Sequence, residues 1–278
     1  MEKAIRFCVG GIQSRGPGFP ARGETMSGRL EGKTAIVTGS TKGIGLGIAR
    51  AYVREGARVI VNSRSAADCA RVATELGSAA EAVAADLSRS DEVRRLAKES
   101  IAALGGTVDI LVNNAGQPRV APSESLPEAD YRYTLDLNLN GCFVLTQEIV
   151  LGMLAAGSGA VIHVSSMNGT VPFPQRLAYC VSKAGLNMMT KVMAIEWAAK
   201  GVRVNAIAPG YVQTEFITML SARGILDADK LARRTPMGRI GTPEEIGEVA
   251  VFLATPAASY ITGEILTVDG GWSSYGYL

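Results

Sequence analysis

The chain has 278 residues, 47% of them hydrophobic, a length and core content within reach of a single α/β domain. Its 28 Lys plus Arg nearly balance 26 Asp plus Glu, so the charge offers no case for nucleic acid or an anionic membrane surface as partner. A lone histidine, His163, excludes His-based zinc sites and a Ser-His triad, and no metal site is expected.

Residues 1–25 are rich in Gly, Pro and Arg, lack periodicity and read as a disordered extension; residues 26–278 read as one domain. From Lys33 short β-branched runs alternate with helical patterns. The strands are expected at 34–38, 58–61, 108–112, 160–164, 202–206 and 264–268, with a weaker one at 82–85. The helices are expected at 44–55, 66–76, 91–104, 128–155, 178–200 and 243–253. Several strand runs are apolar on both faces, the mark of parallel strands covered on both sides. The expectation is therefore one doubly wound Rossmann-type α/β domain, with a mostly parallel seven-stranded sheet and helices on both faces. Its ligand crevice would lie at the carboxyl ends of the strands. No stretch approaches eighteen uninterrupted apolar residues, so no membrane span is expected. Cys8, Cys69, Cys142 and Cys180 are scattered without metal or redox-pair spacing, as for reduced thiols in a cytoplasmic protein. His163, inside the apolar run 160–164, reads as a core residue.

The first strand runs into Thr38-Gly-Ser-Thr-Lys-Gly-Ile-Gly45 and then a helix. Glycines at 39, 43 and 45 let the chain turn sharply and bring backbone N–H groups against a pyrophosphate at the helix N-terminus. Candidate contacts there are Gly39, Ser40, Thr41, Lys42, Gly43, Ile44 and Gly45. Further on, Tyr179 and Lys183 stand four residues apart, on one face of the helix expected at 178–200. A phenol titrates near ~10, and a cation held beside it stabilises the phenolate.

In order, the chain shows the Thr-Gly-x-x-x-Gly-x-Gly loop, Asp86, Asn113-Asn-Ala-Gly116, Asn138, Ser165-Ser166, Tyr179-x-x-x-Lys183 and Pro209-Gly210. In this the chain from about Leu30 to Leu278 resembles the short-chain dehydrogenase/reductase family. The resemblance implies an oxidoreductase acting on CH–OH donors with a tetrad of Asn138, Ser166, Tyr179 and Lys183. Tyr179 would be the general acid in reduction and the base in oxidation. Lys183 would lower the tyrosine's pKa and bind the nicotinamide ribose, Ser166 would hydrogen-bond the substrate oxygen, and Asn138 would hold a water linking Lys183 to solvent. Ser166 is preferred to Ser165 because it lies thirteen residues before Tyr179, and alternation puts the two serines on opposite faces. With no Gly-x-Ser-x-Gly elbow, hydrolysis is not expected.

The second strand ends Val61-Asn-Ser-Arg-Ser65 with no acid to bind a ribose 2′-hydroxyl. In the family Ser63 stands where NAD users carry Asp, and Arg64, with Lys42, can clamp a 2′-phosphate. These residues favour NADP(H) over NAD(H). The resemblance also puts Asp86 and Leu87 at the adenine, Asn113, Ala115 and Gly116 at the adenosine ribose, and Pro209, Gly210, Val212 and Thr214 at the nicotinamide.

Substrate specificity is expected from 117–122, 167–176 and a lid at 211–240, with Ser166, Met167, Asn168, Arg176, Tyr179, Tyr211 and Phe216 as candidate contacts. Pro172, Phe173 and Leu177 would add apolar surface; Arg119 and Arg176 are candidates for a carboxylate or phosphate. The tail from Val268 is similar to that of relatives acting on sugars, polyols or small ketones, so a small secondary alcohol or ketone is the expected substrate. One alternative is 3-oxoacyl carrier-protein reduction, against which 154–159 lacks the basic residues suited to an acidic carrier. A non-catalytic NADP-sensing protein is the remote one. Apolar helix faces near 142–154 and 186–197 lead to the expectation of a homotetramer.

Overall fold

A computed structural model describes residues 28–224 and 226–276; the extension expected at 1–25 lies outside the described residues. The strands are β1 (Thr34–Val37), β2 (Arg58–Val61), β3 (Ala80–Ala82), β4 (Ile110–Asn113), β5 (Gly159–Val164), β6 (Val202–Pro209) and β7 (Ile265–Val268). They form one sheet in the order β3-β2-β1-β4-β5-β6-β7, and every pairing is parallel. The sequence order reverses between β1 and β4, which puts the ligand crevice at their carboxyl ends.

Alternation along the strands feeds two cores. Ala35, Val37, Ile110, Val112, Ile162 and Val164 face α1 (Gly43–Arg54) and α9 (Pro243–Ala254). Ile36, Ile60, Leu111, Val161 and Val204 face α3 (Ser90–Ala103), α5 (Gly141–Ala156) and α6 (Leu177–Trp197). A smaller cluster of Val61, Cys69 and Val72 lies under α2 (Ala66–Leu76). Cys69, Cys142 and Cys180 are free thiols.

Three expectations shift. The weak third strand lies at Ala80–Ala82 rather than 82–85. As an edge strand it is largely exposed, and the apolar signal came from Val83 and Ala85, which pack into the core just beyond it. The helix expected at 128–155 is α4 (Glu128–Leu135), a π-helical turn at Asp136–Asn140, and α5. The segment read as a lid holds two short helices, α7 (Glu215–Ala222) and α8 (Ala228–Arg234), capped by Thr214 and Asp227. By length and composition the helical run Glu128–Ala156 could cross a membrane. Here its inner face packs on the sheet through Leu145, Ile149 and Met153.

Candidate active site

The loop between β1 and α1 is a cradle built by glycine. Gly39 and Gly43 have φ of 63° and 55°, and a Cβ on Gly45 would lie 2.3 Å from the Gly39 carbonyl oxygen. The loop is tied from behind. Ser40 Oγ donates to the Val37 carbonyl (2.7 Å) and accepts from the Asn62 amide (3.0 Å). Asn114 Nδ2 donates to the Thr38 carbonyl (2.8 Å), and Thr38 Oγ1 accepts from the amides of Asn114 and Ala115. The buried Ser40 hydroxyl thus serves the loop rather than a ligand. Helix α1 has Lys42 at its N-cap, with no side-chain cap and no acid in its first turn. Its free N–H groups and positive dipole end are open to an anion, which is what a dinucleotide pyrophosphate requires.

At the end of β2 the Ser63 hydroxyl accepts from the Ser65 amide (3.2 Å) and lies 3.2 Å from Cys69 Sγ, so it is held within the turn. Arg64 is exposed and donates to the Tyr133 hydroxyl on α4 (3.1 Å), which also accepts from Gln117 Nε2 (3.1 Å). Lys42 lies within electrostatic reach of Asp68, whose carboxyl is held below its usual range first by Ser65 and then by Arg71. Two cations therefore flank a turn without acids, a fit to a 2′-phosphate. Asp86 accepts from the amide and hydroxyl of Ser88 (2.9 and 2.8 Å). Leu87 is buried in the core, and the Asn113 side chain is turned into it, donating to Thr146 Oγ1 (2.8 Å). Any contact of Asn113 with a nucleotide would be through its backbone. Asn62 and Asn114, which hold the glycine loop, were not among the candidate residues, although Asn114 lies within the motif 113–116 and Asn62 at a strand end.

Helix α6 brings Tyr179 and Lys183 together, with Lys183 Nζ 5.6 Å from the phenol ring centroid. Lys183 is buried, donates to the Val164 carbonyl (2.7 Å) and forms no ion pair with a described residue. Asn138 sits in the π turn, fully buried, accepting from the Gln117 amide (3.0 Å) and donating to Ser182 Oγ (3.1 Å). Gly116 separates them: a Cβ there would stand 3.0 Å from Asn138 Oδ1 and 3.5 Å from Lys183 Nζ. Ser165 Oγ donates to Asn187 Oδ1 (2.5 Å) beneath α6, whereas Ser166 caps the short turn Met167–Gly169, accepting from the Asn168 amide (3.1 Å). His163 is buried as expected, and burial first, then Lys183, pushes it down to about 3, so the ring is neutral.

Beyond β6, Pro209 pairs with Val268, Gly210 donates to the Val268 carbonyl and Val212 bridges to Gly241. Thr214 caps α7, and its methyl would meet a Cβ on Gly43 at 3.2 Å, so this loop reaches the glycine cradle. Of the substrate candidates, Met167 and Asn168 are buried and support the loop after β5. Tyr211 joins Phe173 and Trp272 in an aromatic cluster with centroids 5.1–6.5 Å apart. Trp272 was not singled out from sequence, although its position just after the last strand was the signal. Arg119 is engaged by Asp130 (3.6 Å) and lies over the Tyr133 ring (5.0 Å). The Phe216 side chain lies outside the described part.

A family model described as "Enoyl-(Acyl carrier protein) reductase", of the short-chain dehydrogenase C2 type, matches residues 39–273. The chain is 43% identical to galactitol 2-dehydrogenase (L-tagatose-forming) of Cereibacter sphaeroides, over 88% of this chain and 96% of that one. It is 42% identical to D-threitol dehydrogenase of Mycolicibacterium smegmatis, over 88% and 94%. A gluconate 5-dehydrogenase from Burkholderia cenocepacia, solved with NADP and tartrate, superposes with a TM-score of 0.83 at 35% identity, covering 90% of this chain and 98% of that one.

Proposed function

The chain belongs to the short-chain dehydrogenase/reductase family of oxidoreductases acting on CH–OH groups, and from that premise we propose that it interconverts a small secondary alcohol (a sugar, a polyol or another small carbonyl compound in its reduced form) and the matching ketone with NADP(H). The observation that carries this reading is the placing of Tyr179 beside a buried Lys183, with Asn138 and Ser166 on the neighbouring elements. A bound nicotinamide supplies the hydride in reduction and takes it in oxidation. Tyr179 gives its proton to the carbonyl oxygen in one direction and removes the hydroxyl proton in the other. Lys183, with one carbonyl partner and no acid among the described residues, holds positive charge against the phenol. Ser166 donates to the substrate oxygen as charge develops there. Asn138 orders the 117 loop against α6 and, across the gap left by Gly116, lines the proton route from Lys183.

NADP is favoured by Lys42 and Arg64 with no acid at the end of β2, and the gluconate 5-dehydrogenase neighbour is itself described in complex with NADP. Galactitol and threitol in the relatives' names favour a polyhydroxy chain, which neutral polyols and sugar acids share. Against 3-oxoacyl carrier-protein reduction stands the uncharged α5–β5 connection at 154–159. Against a non-catalytic sensor stands the complete tetrad. A cytoplasmic homotetramer is the expected state, assembled through the exposed faces of α5 and α6.

Tyr179→Phe tests the reading. Turnover of the secondary alcohol with NADP should fall by roughly 10²–10⁴-fold while NADPH still binds, measured by fluorescence titration. Undiminished turnover would refute the assignment, and activity confined to acyl carrier-protein thioesters would make the carrier-protein reading correct.

A further inference from the structure

The loop between β5 and α6 holds a backbone feature that the tetrad leaves unexplained. Gln175 has φ of 62°, the only non-glycine residue with positive φ among the described residues. Such a conformation is costly and persists where surroundings impose it. Here the Gln175 carbonyl accepts from the Ala121 amide (3.1 Å), pinning the loop to the segment after β4. The next residue, Arg176, is the N-cap of α6, three positions before Tyr179. Tyr179 lies in the first turn of that helix, so Arg176 stands at the same helix end as the proposed acid/base.

The surroundings of Arg176 are aromatic. Its guanidinium carbon lies 6.0 Å from the Phe173 ring centroid. Phe173 stacks on Trp272 (6.5 Å) and meets Tyr211 edge-on (6.5 Å), so rings from the ends of β5, β6 and β7 form one wall. Arg234 fixes that wall from behind, donating to the carbonyls of Trp272 (3.4 Å) and Tyr275 (2.7 Å). Burial raises the Tyr211 phenol, with Arg176 pulling the other way, which places the guanidinium within electrostatic reach of that hydroxyl. Among the described residues Arg176 has no acid partner and no side-chain hydrogen bond, whereas Arg119 and Arg234 are both engaged.

We propose that Arg176 is a carboxylate-recognition residue, and that the substrate is a secondary alcohol or ketone bearing a carboxylate, seated against the wall of Phe173, Tyr211 and Trp272. This rests on the reading that Tyr179 exchanges the proton with the substrate oxygen. A planar guanidinium takes a carboxylate in a two-point hydrogen bond, and apolar rings beside it exclude water and strengthen that bond. The rings give the C–H face of the substrate a flat surface to cover. A neutral polyol would leave the guanidinium without a counter-charge at this mouth.

The test compares matched acids and neutral alcohols with NADP+: D-gluconate against D-glucitol, and cis-4-hydroxycyclohexanecarboxylate against cyclohexanol. The wild type should prefer the acid by at least about tenfold in kcat/KM. Arg176→Gln should lower the acid-to-neutral ratio by about 10- to 100-fold, chiefly through KM, and Arg176→Lys should restore part of it. Arg132→Gln, on α4 and paired with Glu128, should leave the ratio alone. Neutral substrates preferred by the wild type, or an Arg176→Gln loss shared equally by both members of a pair, would overturn the proposal. Calorimetric titration of the NADP+-loaded protein with the two acids reads the site without turnover. Binding by the wild type that is lost in Arg176→Gln supports it, and binding of neither acid overturns it. Binding of an acid without oxidation of any alcohol would bring down the hydride-transfer reading and leave the carboxylate site standing.

Discussion

At Ser165 the hydroxyl donates to Asn187 Oδ1 inside the layer between the sheet and α6, while at Ser166 it faces the opposite way and caps the short turn after β5. Strand alternation imposes this difference, and it separates two kinds of loss. Ser165→Ala strands a buried acceptor and should reduce unfolding free energy by about 1–3 kcal/mol with little change in kcat. Ser166→Ala removes the cap of the turn after β5, at about 1 kcal/mol, but its distinguishing loss should be in kcat, by ~10²-fold or more. Urea unfolding and steady-state rates decide between them; the opposite pattern would exchange the roles. His163 gives a second residue-scale prediction. Its Nδ1 lies 2.8 Å from Thr190 Oγ1, which itself donates to the Leu186 carbonyl, so Nδ1 carries the ring proton. The folded protein holds this ring at about 3, whereas an unfolded chain protonates it near ~6.5. The stabilisation is therefore complete above pH ~6.5 and declines as pH falls toward 3, at up to about 1.4 kcal/mol per unit. Between pH 6.5 and 5 that is about 2 kcal/mol, above the window in which Glu55 and Glu245, each held at about 2 first by an arginine hydrogen bond, begin to contribute. His163→Asn should flatten the slope in that interval, measured as unfolding free energy at each pH, and an unchanged slope would dismiss the claim.

At the scale of elements, the glycine cradle is the part most open to a single change. A methyl on Gly45 would press on the Gly39 carbonyl and on Asn114 Nδ2, 2.4 Å away, and a carbonyl in a tied loop has little room to yield. Gly45→Ala should weaken NADPH binding by at least ~10-fold in a fluorescence titration; an unaltered Kd would mean that the loop does not cradle the cofactor. This loop and the β–α alternation around it were legible in the chain because buried parallel strands are apolar throughout and the turn needs glycine. The proposed tetrad positions stood out as motifs. Helices α7 and α8 did not stand out, because α8 buries no residue and α7, only eight residues long, is too short a window for periodicity to show. The π turn at Asp136–Asn140 was also hidden. It adds one residue to a turn, which rotates α5 relative to α4 by about 100°, and nothing in Asp-Leu-Asn-Leu-Asn announces it. The links from Arg64 through Tyr133 to Gln117 join segments distant in sequence, and only the folded chain brings them together.

For the whole molecule, the question is what covers the outer face of α6. Its inner face carries Lys183, Leu186, Asn187, Thr190 and Ala194 into the protein. The outer face presents Val181, Met188, Val192 and Ile195 at helical spacing, with Met188 60% and Ile195 80% exposed. On α5, Phe143 and Leu151 are likewise exposed, Leu151 by 65%. Exposed apolar stripes on neighbouring long helices are a recurrent mark of an association surface, and a second copy offering the same stripe can meet it about a twofold axis. Because the same α6 carries Tyr179 and Lys183, pairing there would also stiffen the proposed catalytic geometry. Ile195→Glu combined with Leu151→Glu should then break the assembly, because each carboxylate would lose its hydration at the contact without gaining a partner. Sedimentation velocity should show the wild type as a tetramer and the double variant as smaller species, with a lower unfolding temperature. Activity should fall in the variant and recover in part as its concentration rises and mass action restores pairing. An assembly of unchanged size in the double variant would place the contact elsewhere and leave α6 held by its inner face alone.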